Sequence, residues 1–214
     1  MSIVNSTCEL MDWLDANVCS RVTLKRRPID ASANDPMLAS KPKADAEEYD
    51  YELVHPSVLG MYWPTTAQLL PPDVPHTHPG ILVQVVGGAE STKDRRRTLQ
   101  VRLHLCAWDP GQHGRDLWIP RGDGGFVRNE TADYKPDYGG WQDAWSLCDV
   151  TLRELRLADA LGPTLRIDHS EDVTFGPYAQ QDAVVDLYPY WLCWVAFTAY
   201  EPAPTPYEGL DDYL

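Results

Sequence analysis

Apolar side chains recur at helical spacing in two stretches of this chain and at alternating spacing in two others. In residues 141–161, Trp141, Trp145, Cys148, Leu152, Leu155 and Ala158 or Asp159 follow steps of four and three. That spacing puts the apolar ones on one stripe of a helix of about six turns. Asp143, Asp149, Arg153, Glu154 and Arg156 fall on the other face. Gly162 and Pro163 then supply a stop signal, because glycine accepts the backbone turn after a helix and proline cannot continue one. Near the start, Ser6-Thr7-Cys8-Glu9 fits a capping box, and Leu10, Trp13, Leu14 and Val18 continue at helical spacing. This predicts a first amphipathic helix over residues 6–19.

The strands read differently. Residues 81–86 are an apolar, β-branched run ended by Gly87-Gly88, and residues 98–108 alternate. Leu99, Val101, Leu103, Leu105 and Ala107 face one way, with Gln100, Arg102, His104 and Cys106 facing the other, as in a half-buried antiparallel strand. The polar run 89–97 between them reads as a hairpin connection. Asp109-Pro110-Gly111 is a turn signal, and residues 110–140 read as a long ordered loop. Short strands are expected at 22–24 and 164–167. Residues 187–200 form a last strand with two apolar faces: Trp191, Cys193, Val195, Phe197 and Ala199 on one, Tyr188, Tyr190, Leu192, Trp194 and Ala196 on the other. An antiparallel sheet with helices on one side has a polar outer face. This strand therefore needs a cover on both sides, either from elsewhere in the chain or from another copy.

Nine of the eighteen prolines lie in residues 28–80, which reads as an insertion or arm rather than a core element. Within it, Met61, Tyr62 and Trp63, and also Leu69 and Leu70, are apolar enough to dock on the parent domain or on a neighbouring subunit. The last residues, 201–214, are acidic and proline-rich, a tail. The expected architecture is α+β: one domain over residues 1–200, an antiparallel sheet with two helices packed on one face, and the proline-rich insertion.

Charge narrows the function. Among 214 residues the net charge is −14, and residues 168–214 hold nine acids with no Lys or Arg. Nucleic-acid binding needs cations against phosphates, so this distribution argues against it. It is compatible with a surface that DNA passes without sticking, while a solubilising charge on a solvated face is the plainer reading. Five cysteines form an odd set, and Cys8 and Cys19 would stand about 16 Å apart along one helix. All five are expected to be reduced, as in a cytoplasm. No apolar run reaches membrane-span length, and acids interrupt the first apolar stretch where a signal peptide would need continuity.

Candidate chemistry is sparse. His76 and His78, joined by His104, Cys106 or Asp109, would make a metal-dependent enzyme only if these ligands converged. Gly122, Gly124 and Gly125 precede no phosphate-loop lysine, and no serine nucleophile elbow occurs. The sequence reading is of a protein with no catalytic residues, cofactor or metal.

The order of elements resembles that of the tail terminator (tail completion) proteins of long-tailed bacteriophages. The matching parts are the opening helix ending near Cys19, the strand within residues 79–88, the Arg95-Arg96-Arg97 hairpin leading into 98–108, the helix at 141–161, and the aromatic strand from Tyr188 to Phe197. The resemblance covers about two-thirds of the chain. The proline-rich segment and the 110–140 loop depart from the compact pattern. The resemblance implies a homohexameric ring in the virion, assembled in the host cytoplasm. Such a ring caps the tail tube, meets head completion or connector proteins, and lets DNA through its channel. The subunit interface would then use Tyr188, Tyr190, Leu192, Trp194, Tyr62 and Trp63, and the tube or connector would meet Arg95, Arg96 and Arg97. Glu90, Asp168, Glu171 and Asp172 are candidates to line the channel. Other neck, minor capsid or tail tube proteins are the near alternatives.

Overall fold

The computed structural model describes residues 2–26, 53–64, 74–109, 118–120, 126–128, 139–180, 183–184 and 187–202. Two helices are described, α1 (Ile3–Asn17) and α2 (Gly140–Leu157), with one 3-10 turn at Cys19–Arg21. The strands are β1 (Leu24–Lys25), β2 (Leu53–Val54), β3 (Ser57–Gly60), β4 (Gly80–Ser91), β5 (Arg96–Trp108), β6 (Trp118–Pro120) and β7 (Phe126–Arg128). After α2 come β8 (Arg166–Ile167), β9 (Thr174–Pro177), β10 (Ala179–Gln180), β11 (Ala183–Val184) and β12 (Tyr190–Glu201). The protein is α+β.

The main sheet runs β3-β4-β5-β12-β8, and β9 pairs β12 as well. β4 and β5 form the expected hairpin, with its ladder extended to Ser91↔Arg96. β12 pairs antiparallel with β5 along its whole length, from Tyr190↔Trp108 to Glu201↔Arg97. The sheet is not wholly antiparallel, however, because β3 pairs parallel with β4, with Val58↔Ile81 in register. This corrects the reading of residues 28–80 as an arm outside the core. Val58 and Leu59 are buried, and this part of the segment supplies an edge of the sheet. The long loop is likewise not plain loop, since β6 and β7 pair within it. Residues 28–52 and 65–73, with Leu69 and Leu70, and the tail 203–214 lie outside the described residues.

Side-chain alternation explains the core. Leu103 and Leu105 of β5 stand opposite Val195 and Cys193 of β12, on the same side of the pleat as Ile81 and Val83 of β4. One buried cluster joins these to Leu10 and Leu14 of α1 and to Ala144, Leu147, Cys148 and Leu155 of α2. Burying each large apolar side chain here contributes about 1.5–3 kcal/mol.

Both helices depart from the sequence expectation in instructive ways. α1 begins at Ser2, whose Oγ accepts from the Asn5 amide at 3.2 Å. Ser6 is inside the helix and buried; its hydroxyl donates to the Glu201 carboxylate. Glu9 does not fold back on the helix start. It accepts from the Thr164 amide at 2.9 Å, the Thr164 hydroxyl at 2.8 Å and the Leu165 amide at 3.2 Å. The capping-box pattern is present, but tertiary partners claim both of its side chains.

α2 ends at Leu157, and the Ala158 amide closes it on the Glu154 and Leu155 carbonyls, short of Gly162. Its buried face is Gly140, Ala144, Leu147, Cys148, Thr151, Glu154 and Leu155; Cys148 and Leu155 belong to the expected stripe, and Trp145, Leu152 and Ala158 pack against the core only partly buried. Trp141 is 50% exposed. Close approach causes this rotation. A Cβ at Gly140 would collide with the Trp191 ring, so small residues must sit where helix meets sheet, and the tryptophans flank the contact. Glu154, expected outside, is buried with its charge paired to Arg21 at 3.2 Å and Arg153 at 3.0 Å.

Candidate functional site

The even-numbered face of β12 carries most of the residues predicted for assembly. Cys193, Val195, Phe197, Ala199 and Glu201 are buried, while Tyr190, Leu192, Trp194, Ala196, Thr198 and Tyr200 are each half-buried. The register places Cys106, His104, Arg102, Gln100 and Thr98 of β5 beside them. Two apolar faces were expected on this strand, and they are distinguished by burial.

Part of the cover comes from the chain itself. Trp63 donates from Nε1 to His78 Nε2 at 2.7 Å, and the His78 ring lies 4.8 Å from that of Tyr190. This end of β12 is thus shielded by the segment around β3. Trp194 lies over Gly176, donates from Nε1 to the Pro177 carbonyl at 3.0 Å, and has the Arg102 guanidinium 5.4 Å from its ring. The Arg96 guanidinium sits 3.8 Å above the Tyr200 ring. Tyr188 meets Trp191 edge to face at 6.2 Å. Leu192 faces outward opposite buried Cys106. Met61 and Tyr62, beside Trp63, remain 52% and 59% exposed. The three neighbours therefore divide: Trp63 docks on its own domain, and the other two project.

His104 sits at the centre of this face. Its Nδ1 meets the Tyr178 hydroxyl, its Nε2 lies 2.9 Å from Gln84 Oε1, and the Tyr178 ring stacks on it at 5.7 Å. With Nε2 donating to the Gln84 oxygen, Nδ1 of the neutral ring is left to accept from the Tyr178 hydroxyl. Burial, aided by Arg102, lowers the His104 pKa below its ordinary value, and burial pushes the Tyr178 hydroxyl up to about 12.

The arginine triplet is dispersed by the hairpin. Arg95 occupies the turn with φ 49° and is exposed. Arg96 pairs with Asp168. Arg97 bridges Glu201 at 3.3 Å and Glu90 at 3.2 Å. Of the acids considered for a channel, Asp168 and Glu90 thus hold arginines of their own chain, and the Ser170 hydroxyl and Arg96 keep the Asp168 carboxyl below its usual range. Glu171 and Asp172 are exposed.

The residues weighed for a metal centre occupy separate settings. His76 Nε2 lies 3.1 Å from the His55 carbonyl, and His78 accepts from Trp63. Asp109 pairs with Lys25 at 2.8 Å. Burial raises the Cys106 thiol pKa. Among the described residues, no group of three or more His, Cys, Asp or Glu could hold a metal ion. All five cysteines are free thiols, and four are buried. No described helix is long and apolar enough to cross a membrane.

Sequence reasoning missed Tyr178, Gln84 and Gly176 as parts of this face. Alternation identified Arg102 as outward-pointing but not its partner, because Trp194 is its diagonal neighbour across two strands and that pairing depends on register. No protein-family pattern matches the chain, and no curated protein sequence matches it.

Proposed function

We propose that this chain is a structural virion protein, a tail terminator or neck ring of about six copies that closes the tail tube, joins it to head completion proteins and lets DNA pass. The observation that carries this reading is the outer face of β12. It keeps Tyr190, Leu192, Trp194 and Tyr200 half-exposed along a strand whose inner side is buried from Cys193 to Glu201. In this reading both helices lie over the inner face, and the outer one meets a sister subunit, continuous with Met61 and Tyr62. Interface cores favour aromatic residues over charged ones. A second apolar area, Trp141 and Phe175 with Trp145 edge-on to Phe175 at 6.2 Å, flanks α2 and suits contact with a neighbour in the ring.

The tube or connector contact falls on the tip of the β4–β5 hairpin. Arg95 is the arginine available there, since Arg96 and Arg97 hold their own acids. A net charge of −14 keeps a DNA channel from retaining its polyanion. The reading has no catalytic step, cofactor or metal, and it places the protein in the virion after assembly in the host cytoplasm. The test is the mass and shape of the purified protein. A closed ring supports the terminator, whereas open-ended polymers would indicate a tube protein instead.

A further inference from the structure

Among the described residues β3 is an edge strand of the main sheet, and it borders a groove of ≈ 330 Å³. Its walls are Met11, Asp12 and Asp15 of α1 and the Val74-Pro75 segment. The backbone of β3 determines what this groove offers. The Ser57 amide donates to the Pro79 carbonyl at 3.1 Å and the Met61 amide to the Val83 carbonyl at 2.7 Å. In a parallel ladder alternate residues bond to the same neighbour, so Ser57, Leu59 and Met61 face β4. Val58 and Gly60 turn their backbone outward. The Gly60 carbonyl accepts from the Tyr62 amide at 2.8 Å. The Val58 N–H and C=O and the Gly60 N–H therefore point along the open edge, the set an added strand needs.

The acidic wall indicates the occupant. Asp12 and Asp15 are exposed, three residues apart on one helix face, with no described ion-pair partner. We propose that this groove is a docking site for an extended, Lys- or Arg-bearing segment of a partner protein, which adds a strand beside β3 and sets its cations against Asp12 and Asp15. A second copy of this chain is a poorer fit, because it brings a net charge of −14 to an acidic rim. The inference stands apart from the ring reading and uses a different surface.

The test is a titration of the full-length, ¹⁵N-labelled chain with a blocked hexapeptide of alternating valine and lysine, beside the same peptide with glutamate for lysine. The lysine peptide should shift the Val58 and Gly60 amides saturably, more weakly as salt is raised. The glutamate peptide should not. Asp12→Lys with Asp15→Lys should weaken binding roughly tenfold or more; Asp12→Asn with Asp15→Asn serves if the reversal does not fold. Absence of saturable shifts at millimolar lysine peptide, equal binding of the glutamate peptide, or binding indifferent to both aspartate pairs of variants would overturn the proposal. Shifts of these same amides with protein concentration alone would assign the groove to a sister copy and overturn it too.

Discussion

Ser6 and Ser2 lie one helical turn apart, and the sequence motif favoured the wrong one as the cap. Ser2 caps α1 through Asn5, whereas Ser6 serves the buried Glu201 carboxylate, which Arg97 also holds. Ser2→Ala should cost about 1 kcal/mol, the usual worth of a cap. Ser6→Ala should cost as much or more, about 1–3 kcal/mol, because it strips a bond from a buried charge. Urea denaturation of the two variants measures the difference. His104 gives a pH prediction. Its folded pKa is depressed by burial and by Arg102, so the folded state binds fewer protons than the unfolded one. Its contribution is whole above the unfolded value of about 6.5 and is lost as pH falls through the folded value. His104→Gln should therefore flatten the fall of stability below about pH 6.5, read by denaturation at a series of pH values. Neither residue's role was legible in the sequence: each depends on a partner far along the chain, Glu201 and Tyr178.

At the scale of elements, strands were easier to read than helices. Alternation in 98–108 and 190–200 assigns each side chain to a face, and the register of β5 with β12 keeps that assignment, whereas Tyr188 precedes β12 and meets Trp191 instead of continuing the Trp194 face. Helical periodicity located α2 and two of its buried residues, Cys148 and Leu155, but centred the stripe on the tryptophans rather than on Ala144, Leu147 and Thr151. Two tryptophans dominate the pattern, yet at Gly140 the Trp191 ring leaves no room for a side chain. The consequence is measurable. Leu147 is fully buried, so Leu147→Ala should cost about 2–5 kcal/mol. Trp141→Ala should cost under about 1 kcal/mol, as for a side chain half in water. A large loss at Trp141 in the isolated protein would restore the stripe expected from periodicity. The parallel β3–β4 pairing could not be read from local sequence, since proline-rich flanks concealed a four-residue strand.

For the whole molecule, the α+β class follows from the order of periodic segments, and the proposal of assembly rests on the half-exposed outer face of the last strand. The chain covers part of the outer face through Trp63, His78 and Gly176. Leu192 is the better probe of what remains, because Trp194 also anchors β9 through the Pro177 carbonyl. Leu192→Asp should yield folded, unassembled protein, seen as native circular dichroism at monomer mass. The most direct measurement is single-particle mass and negative-stain imaging of the unmodified protein. The account predicts closed rings of about six copies. A uniform monomer of 24.1 kDa across the accessible concentration range would contradict it.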